Sequence, residues 1–341
     1  MKSRLVYIGN ALAVHGRAPT SADIVPSLLR EEGFQVEVAS SRKNVVLRML
    51  DMLWVILRHS RSADYVLIDT YSTKNIWYAF LCSRLCHLLN LKYIAILHGG
   101  ELPQRMDRSR LMAQAIFGRS FCNVAPSRYL LEALLKRGFQ GRLIPNTIPI
   151  KQFKLKKRLE FRPKILWVRA FAGLYNPQMA LHVLKGISSN YPEARLSMVG
   201  PDKDGSWEEC RVLARELELE CQVEFPGRLS KKDWHALSED HDIFINTTNK
   251  DNTPVSVMEA MALGLPVVST NPGGMPFLIE HEHDGLLVDV NDVDAMVAKI
   301  RLLLSDSSQV ISLAKAARSK VEGFDWDQVK RKWRDLLESC D

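Results

Sequence analysis

Two carboxylates lie eight residues apart, Asp251 and Glu259, in a segment that reads DNTPVSVMEAMALGLPVVST. Asp251 falls in a polar turn, and a helix that begins near Pro254 carries Glu259 more than one turn from its start. The first N–H groups of a helix have no partners within the helix, so that a phosphate can bind there. Carboxylates accept hydrogen bonds from sugar hydroxyls. The segment therefore predicts a site for a nucleotide sugar, and the alternative is a capped amphipathic helix with two solvated acids.

Two further candidates follow predicted strands. Arg169 comes directly after the run 165–168, and arginine binds phosphate in a bidentate geometry and stays charged. His98 and Gly99 come after the run 93–97, where an imidazole could orient a sugar hydroxyl or the acceptor. We expect Arg169 to contact the donor, and His98 with Gly99 to contact the acceptor. A structural arginine and a histidine that caps a turn remain the alternatives.

Loops supply the other candidates. Gly16 would let the backbone approach the donor, and Arg17, which could meet a phosphate, is expected to contact the acceptor. Gly273 and Gly274 can form a tight turn that brings amides near the donor, although ordinary turns explain all four residues equally well. Residues 10–19 lack the Gly-x-Gly-x-x-Gly spacing, so a nicotinamide or flavin cofactor is not expected. The donor contacts are completed by the turn and helix start, Asn252, Thr253, Pro254 and Val255.

Short apolar runs rich in β-branched residues recur between helical stretches. The first half contains the runs 5–8, 36–39, 65–68, 93–97, 123–125 and 143–144. The second half contains the runs 165–168, 195–199, 223–225, 243–245, 266–269 and 285–288. This alternation predicts an α/β protein with two doubly wound parallel sheets that bind ligands at the carboxyl ends of their strands.

The domain boundaries follow from a basic, weakly apolar segment near residue 155. We expect a first domain over 1–155, a second over 156–323, and a C-terminal helix over 324–341. That helix has one apolar face, which packs either on its own domain or back on the first one.

Composition excludes several protein classes. The longest apolar runs are far shorter than the roughly 18 residues that span a bilayer. The start of the chain has too few apolar residues for a secretory signal, so a cytoplasmic protein is expected. The six cysteines form no Cys-x-x-Cys pair, and none has a histidine at zinc-ligand spacing, so no metal site is expected.

Charge is divided unevenly along the chain. Residues 1–160 hold 25 Lys and Arg against 11 Asp and Glu, whereas residues 161–341 hold 21 against 28. Such asymmetry indicates an acidic partner for the first half, for which an anionic membrane, a phosphorylated lipid and nucleic acid are candidates. The basic residues are scattered between core segments, so no nucleic acid is expected. The amphipathic stretch 42–61 either docks peripherally at the inner face of the membrane or, as we favour, packs as a buried helix with solvated basic ends.

Taken together, these residues resemble the retaining glycosyltransferases of family 4, which have the GT-B fold. Asp251 and Glu259 match the Glu-x7-Glu motif of that family, and 259–268 is close to its consensus. The glycine pair at 273 and 274 and the run 285–288 follow in register. Further landmarks of the family are matched by His98-Gly99, Pro126-Ser127, Ile144-Pro145-Asn146 and Arg169.

The resemblance implies a role for each matched residue. Glu259 would bind the donor ribose, Asp251 would lie by the transferred sugar, and Arg169 would neutralise the diphosphate. His98 would lie near the sugar and the acceptor, which would be a glycan or a lipid-linked molecule in the synthesis of a cell-surface polysaccharide or glycoconjugate. The resemblance also implies retention of the anomeric configuration, no bound metal and no cofactor beyond the nucleoside-diphosphate sugar as co-substrate.

The chain departs from the family pattern at three places. The first motif carboxylate is Asp251 instead of glutamate, which shortens its reach by one methylene group. Tyr175 or Asn176 takes the place of the usual lysine, so that either Lys250 substitutes or activity is lower. Phe277 lies near the position of a glutamate that often follows the glycine pair.

Two other functions remain open at this stage. An epimerase or a glycoside phosphorylase of the same architecture would act without the acceptor that a transferase needs. A non-catalytic protein that binds nucleotide sugars or nucleic acid would bind without turnover.

Overall fold

The computed structural model describes residues 2–16 and 19–338 of the 341-residue chain. The chain divides into two compact units, of which the first comprises Met1–Asn146 with Trp326–Asp341 and the second comprises Thr147–Asp325. By sequence, the first unit holds 24 Lys and Arg against 14 Asp and Glu, and the second holds 22 against 25. The basic excess predicted for the first half therefore belongs to one folded unit.

The first unit is built on a parallel sheet. Its strands are β1 Arg4–Ile8, β2 Gln35–Ala39, β3 Tyr65–Tyr71, β4 Tyr93–His98, β5 Cys122–Ala125 and β6 Arg142–Leu143. Its helices before residue 146 are α1 Ser21–Glu31, α2 Val45–Arg58, α3 Ile76–Leu88, α4 Leu102–Arg108, α5 Arg110–Phe117 and α6 Arg128–Leu135. The strand order β2-β1-β3-β4-β5-β6 reverses between β1 and β3. In open parallel sheets, ligands bind beyond the carboxyl ends of the strands at such a reversal.

The second unit repeats this plan. Its strands are β7 Lys164–Val168, β8 Arg195–Val199, β9 Val223–Gly227, β10 Ile243–Asn246, β11 Val267–Thr270 and β12 Leu286–Val288. Its helices are α7 Pro177–Ser188, α8 Ser206–Glu216, α9 Lys231–Leu237, α10 Val255–Ala262, α11 Met275–Leu278, α12 Val293–Ser305 and α13 Ser307–Glu322. The order β12-β11-β10-β7-β8-β9 reverses between β7 and β10. Each of the twelve predicted runs overlaps one of the strands, which confirms the doubly wound α/β fold.

The last helix, α14 Trp326–Glu338, belongs to the first unit. Its apolar side, which includes Val329 and Trp333, is buried in a core that also contains Leu5 of β1 and Leu29 of α1. On its polar side, Lys330 pairs with Glu32 at the end of α1. The C-terminal helix therefore completes the unit that the N-terminal strand begins.

The boundary between the units lies at residues 146 and 147, earlier than the sequence-based boundary after residue 155. Ile148, Ile150 and Phe153 are buried in a core of the second unit, which explains why this segment belongs there. The N–H of Ile148 donates to the carbonyl of Phe324, so the entering and leaving segments of the second unit lie side by side. No helix among the described residues is long and apolar enough to cross a membrane.

Candidate functional site

Arg169 and Asp251 meet at the reversal of the second sheet. Arg169 follows β7, Asp251 lies in the loop after β10, and their side chains form an ion pair. The guanidinium carbon of Arg169 also lies 4.2 Å from the ring centroid of Tyr175, which is a cation–π contact. Burial lowers the pKa of Arg169, and interaction with Tyr175 opposes that shift. The sequence predicted both charged residues here, but it did not indicate that they pair.

Two residues could take the place of the family's lysine, and Tyr175 is the one that contacts Arg169. Asn176, the other candidate, adopts a left-handed backbone conformation with φ of 48° at the start of α7. Its side-chain amide donates to the side-chain oxygen of Asn291 at 2.7 Å. An aromatic ring thus stacks on Arg169 where family members place a second cation.

The loop that carries Asp251 packs on the predicted glycine turn. The N–H of Gly274 donates to the carbonyl of Asp251 at 3.0 Å. A Cβ atom at Gly274 would lie 1.9 Å from the carbonyl oxygen of Asn252, so no larger residue fits without moving the backbone. Gly273 has φ of +59°, a conformation that favours glycine. The glycine pair holds the loop in place, and its contact with a donor stays a prediction.

Helix α10 begins at Val255, as the sequence predicted, with Pro254 as its N-cap and no side-chain cap. In the described part of the chain, the N–H groups of Val255 and Ser256 have no hydrogen-bond partner. The hydroxyl of Ser256 is also buried without a partner there. Buried polar groups normally have partners, so a cluster of free donors favours an anionic ligand. Of the other predicted donor contacts, Asn252 and Pro254 are buried and Thr253 is half-buried.

Glu259 has cationic partners of its own. Its carboxylate is 3% exposed and accepts a hydrogen bond from Nζ of Lys231 at 2.6 Å. Nε2 of His235 lies 3.7 Å from the other carboxylate oxygen. Both partners belong to α9. They were not predicted, because Lys231 and His235 lie 28 and 24 residues before Glu259 along the chain. A ribose hydroxyl that binds Glu259 must therefore share this carboxylate with Lys231 or displace it.

A cavity borders the partners of Glu259. It has a volume of about 400 Å³, and Lys231, His235, Phe153 and Leu263 are among its lining residues. This volume lies within the range of small-molecule sites, about 300–1,000 Å³. Lys231 thus both contacts the carboxylate of Glu259 and lines this cavity.

The acceptor candidates lie in the first unit. His98 is the last residue of β4, and its Nε2 lies 2.8 Å from Oδ1 of Asp69, a buried residue of β3. The imidazole stacks on the ring of Tyr71, with centroids 4.7 Å apart. Gly99, which follows, has φ of +91°, so it makes a turn that favours glycine. Asp69 was not predicted, because one acid inside an apolar strand gives no local signal.

The remaining predicted positions have simpler environments. Gly16 is exposed and ends a short 3-10 helix over Ala13–His15, with φ of 75°. Arg17 lies outside the described residues. Phe277 is exposed on α11. Among the described residues, Glu280, His283 and Asp284 lie close enough to share a metal ion, but Asp284 is buried and paired with Lys320.

Comparison with known proteins assigns the chain to a family. A family model described as glycosyl transferases group 1 matches residues 150–320, just over half of the chain. The amylovoran biosynthesis glycosyltransferase AmsK of Erwinia amylovora is 34% identical over 281 residues, which cover 74% of this chain and 65% of AmsK. The sulfoquinovosyl transferase SQD2 of Arabidopsis thaliana is 30% identical over 166 residues, 48% of this chain and 31% of SQD2. The chain thus spans between about a third and two thirds of the length of these relatives.

Solved structures give the fold. A crystal structure of Anabaena HepE in complex with UDP and glucose matches with a TM-score of 0.77 over 99% of this chain and 100% of that chain, at 16% identity. A likeness at this identity establishes architecture alone, and it confirms the two-domain GT-B fold predicted from the sequence. With the family match and the Asp251 and Glu259 motif in place, the chain belongs to the group 1 glycosyl transferases.

Proposed function

We propose that this protein transfers a sugar from a nucleoside-diphosphate sugar to a glycan or lipid-linked acceptor, with retention of configuration and without a metal ion. The observation that carries the proposal is that a half-buried arginine and a helix start without a side-chain cap both follow strands at the reversal of the second sheet. Arg169 supplies the charge, and the N–H groups of Val255 and Ser256 supply hydrogen-bond donors. A diphosphate leaving group is an anion that matches both features.

The two motif carboxylates suit different parts of such a donor. In this proposal Asp251, next to Arg169, accepts a hydrogen bond from the transferred sugar. Glu259, inside α10, accepts one from the ribose once Lys231 moves aside. Names of similar proteins support this choice of substrate, because HepE was crystallised with UDP and glucose, and AmsK acts in amylovoran biosynthesis.

In this proposal no metal ion is needed, because groups of the protein itself offset the negative charge of the diphosphate. Arg169 and the helix amides would neutralise the leaving diphosphate, which is the task of a divalent ion in other transferases. The proposal therefore expects transfer to continue at an unchanged rate in excess EDTA. Retention rests on the family resemblance and is checked by the anomeric coupling constant of the product in a proton NMR spectrum.

A thermal-shift screen tests the donor assignment. Uridine, guanosine and adenosine diphosphate sugars are each added to the wild-type protein, to Glu259→Ala and to the control Glu208→Ala, which removes an exposed acid of α8. One donor class should raise the melting temperature of the wild type and the control but not that of Glu259→Ala. Stabilisation that survived in Glu259→Ala would show that the ribose role of Glu259 is wrong. If no donor stabilised the wild-type protein, the proposed function itself would be wrong.

The first unit carries a surface that fits an anionic membrane. Helix α2 packs inward through Met52, Val55 and Ile56, but its opposite side is exposed, so the favoured prediction of a buried packing helix with solvated basic ends is wrong for that side. Helix α3 packs beside α2 and also exposes apolar side chains, and we call the exposed apolar and basic residues on and beside the two helices the apolar-basic face. This face comprises the exposed residues Val46, Leu47, Leu50, Trp54, Leu57, Trp77, Leu81 and Leu88, with Arg42, Lys43, Arg58, Arg61 and Lys74.

We propose that the apolar-basic face binds the surface of an anionic bilayer, where a lipid-linked acceptor would be presented. The net positive charge of the first unit supplies the electrostatic attraction, at about 1 kcal/mol per basic residue near the surface, and the exposed Trp54 can enter the headgroup region. Sedimentation with vesicles tests this, using neutral and anionic lipids at low and high salt. Binding should require anionic lipid, and it should be weaker at high salt and in the double variant Leu50→Ser/Trp54→Ser. Equal binding to neutral and anionic vesicles would contradict the proposed membrane contact.

A further inference from the structure

A buried acid of the first unit has no role in the mechanism described so far. Asp69 in β3 is 0% exposed, yet its charge has no lysine or arginine partner among the described residues. Oδ1 of Asp69 accepts a hydrogen bond from the hydroxyl of Tyr7 at 2.8 Å and lies 2.8 Å from Nε2 of His98. A buried carboxylate is costly unless hydrogen-bond donors compensate it. His98 is the partner that can supply a donor in addition to the hydroxyl of Tyr7.

The sheet explains how these groups meet. Tyr71 of β3 lies opposite His98 of β4 in the parallel register, and Asp69 lies two residues earlier on the same face of β3. Tyr7 of β1 pairs with Leu67, so it too shares that face. All four side chains therefore lie near the carboxyl edge of the first sheet, and Asp69 and Tyr7 flank its reversal between β1 and β3.

Room for the carboxylate is made by a glycine. A Cβ atom at Gly9, just after β1, would lie 2.5 Å from Oδ2 of Asp69. Burial, and then the nearby charge of Asp69, raise the pKa of Tyr7, so its phenol stays protonated and donates its hydrogen bond. With the phenol as one donor, the acceptor-only carboxylate requires Nε2 of His98 to carry a proton as well.

We propose that Asp69 is a positioning residue that fixes the orientation and tautomer of His98. The proton lies on Nε2, the ring is held between Asp69 and Tyr71, and Nδ1 is left for a ligand. In the part of the chain that the structure describes, Nδ1 has no hydrogen-bond partner. This inference rests on the proposed function, in which Nδ1 would meet a hydroxyl of the transferred sugar or the acceptor. Hydrogen bonding to one ring nitrogen commonly sets the role of the other.

Nitrogen-15 NMR of the full chain tests the tautomer without any enzyme assay. The signals of the nine histidines are recorded at pH 8, and His98→Gln identifies the one that belongs to His98. The wild type should show a proton on Nε2, whereas Asp69→Asn should show a mixture of tautomers. A wild-type proton on Nδ1, or an unchanged tautomer in Asp69→Asn, would overturn the proposal. The wild-type spectrum decides even if the variant does not fold.

Kinetics give the second readout once a donor and an acceptor are known. Asp69→Asn should lower kcat by about 10²-fold, the lower end of general acid–base contributions, and shift the pH profile of kcat. The melting-temperature rise caused by nucleoside diphosphate should not change. Tyr7→Phe, which keeps the carboxylate, should lower kcat by only about threefold, and Asp64→Asn, an exposed acid of the same unit, should change nothing. An unaltered pH profile in Asp69→Asn would contradict the positioning role, whereas absent transfer in the wild type would contradict only the proposed function.

Discussion

The guanidinium of Arg169 is paired with the carboxylate of Asp251 at the reversal of the second sheet. A donor diphosphate must therefore compete with a protein carboxylate for the same cation. In the proposed mechanism, Asp251 would thus oppose binding of the leaving group while it accepts a hydrogen bond from the transferred sugar. Removing the charge of Asp251 should therefore strengthen diphosphate binding, which would not be expected if every charged group of the site attracted the diphosphate.

Asp251→Asn should tighten the binding of free nucleoside diphosphate by about fivefold, equivalent to about 1 kcal/mol at a partly exposed site. The amide oxygen can still accept the N–H of Asn252, so the loop should keep its shape. Sugar transfer should nevertheless fall, because the charged acceptor for a sugar hydroxyl is lost. Calorimetric titration measures the affinity, with the exposed Asp294→Asn as control. Weaker diphosphate binding in Asp251→Asn would show that this carboxylate does not compete.

Tyr175 should support Arg169 through its ring. Tyr175→Leu removes the cation–π contact and should weaken diphosphate binding by about threefold to tenfold, whereas Tyr175→Phe keeps the ring and should retain most of the affinity. The same titration compares the two variants. If both lost affinity equally, the hydroxyl of Tyr175 would be the important group, and the stacking account would be wrong.

Gly274→Ala should destabilise the second unit and abolish diphosphate binding, since its Cβ would push the backbone of Asn252 away. Overpacking of this kind costs about 1–3 kcal/mol. Gly173→Ala is the matched control, because its Cβ would meet nothing closer than 3.9 Å. Urea unfolding at equilibrium measures both variants, and equal stabilities would show that the loop adapts freely.

Docking of α14 should depend on pH through Glu32. Burial alone would raise the pKa of Glu32, but hydrogen bonding and charge from Lys330, together with the charge of Arg334, lower it overall. A carboxyl whose pKa is lowered by folding contributes stability above the pKa of the unfolded chain, about 4.3, and loses it as pH falls through the folded value. Glu32→Gln should therefore cost about 0.2–1 kcal/mol at pH 7 and less than that at pH 3. A cost that is the same in urea unfolding at both pH values would exclude the ion pairs as its cause.

The fold could be predicted because a buried parallel strand is indicated by a short run of neighbouring apolar residues. Runs such as 65–68 and 243–245 are apolar on both faces, and each overlaps a strand. The helix after Pro254 could be predicted in the same way, since its start and its motif acid lie within one short segment. For the same reason Asp251, Glu259 and Arg169 were identified from sequence alone.

The partners of these residues were not predictable, because they come from distant segments. Lys231 reaches Glu259 from another helix, and Asp69 reaches His98 from the neighbouring strand. For α2 the interpretation as a buried helix was favoured over docking at a membrane, since an apolar helix face predicts burial unless the neighbouring elements are known. Nor did the sequence show that Arg158, in a basic segment, is buried and donates to the carbonyls of Ser238 and His241.

The central claim is that Arg169 and the start of α10 hold the donor diphosphate. Its most direct test is the ratio of affinities for a nucleoside diphosphate and the corresponding monophosphate, in the wild type and in Arg169→Met/Asp251→Asn, which removes the pair without leaving a lone charge. We predict that the wild type prefers the diphosphate by at least about tenfold, near 1.4 kcal/mol, and that the double variant has almost no preference. An undiminished preference in the double variant would contradict the account.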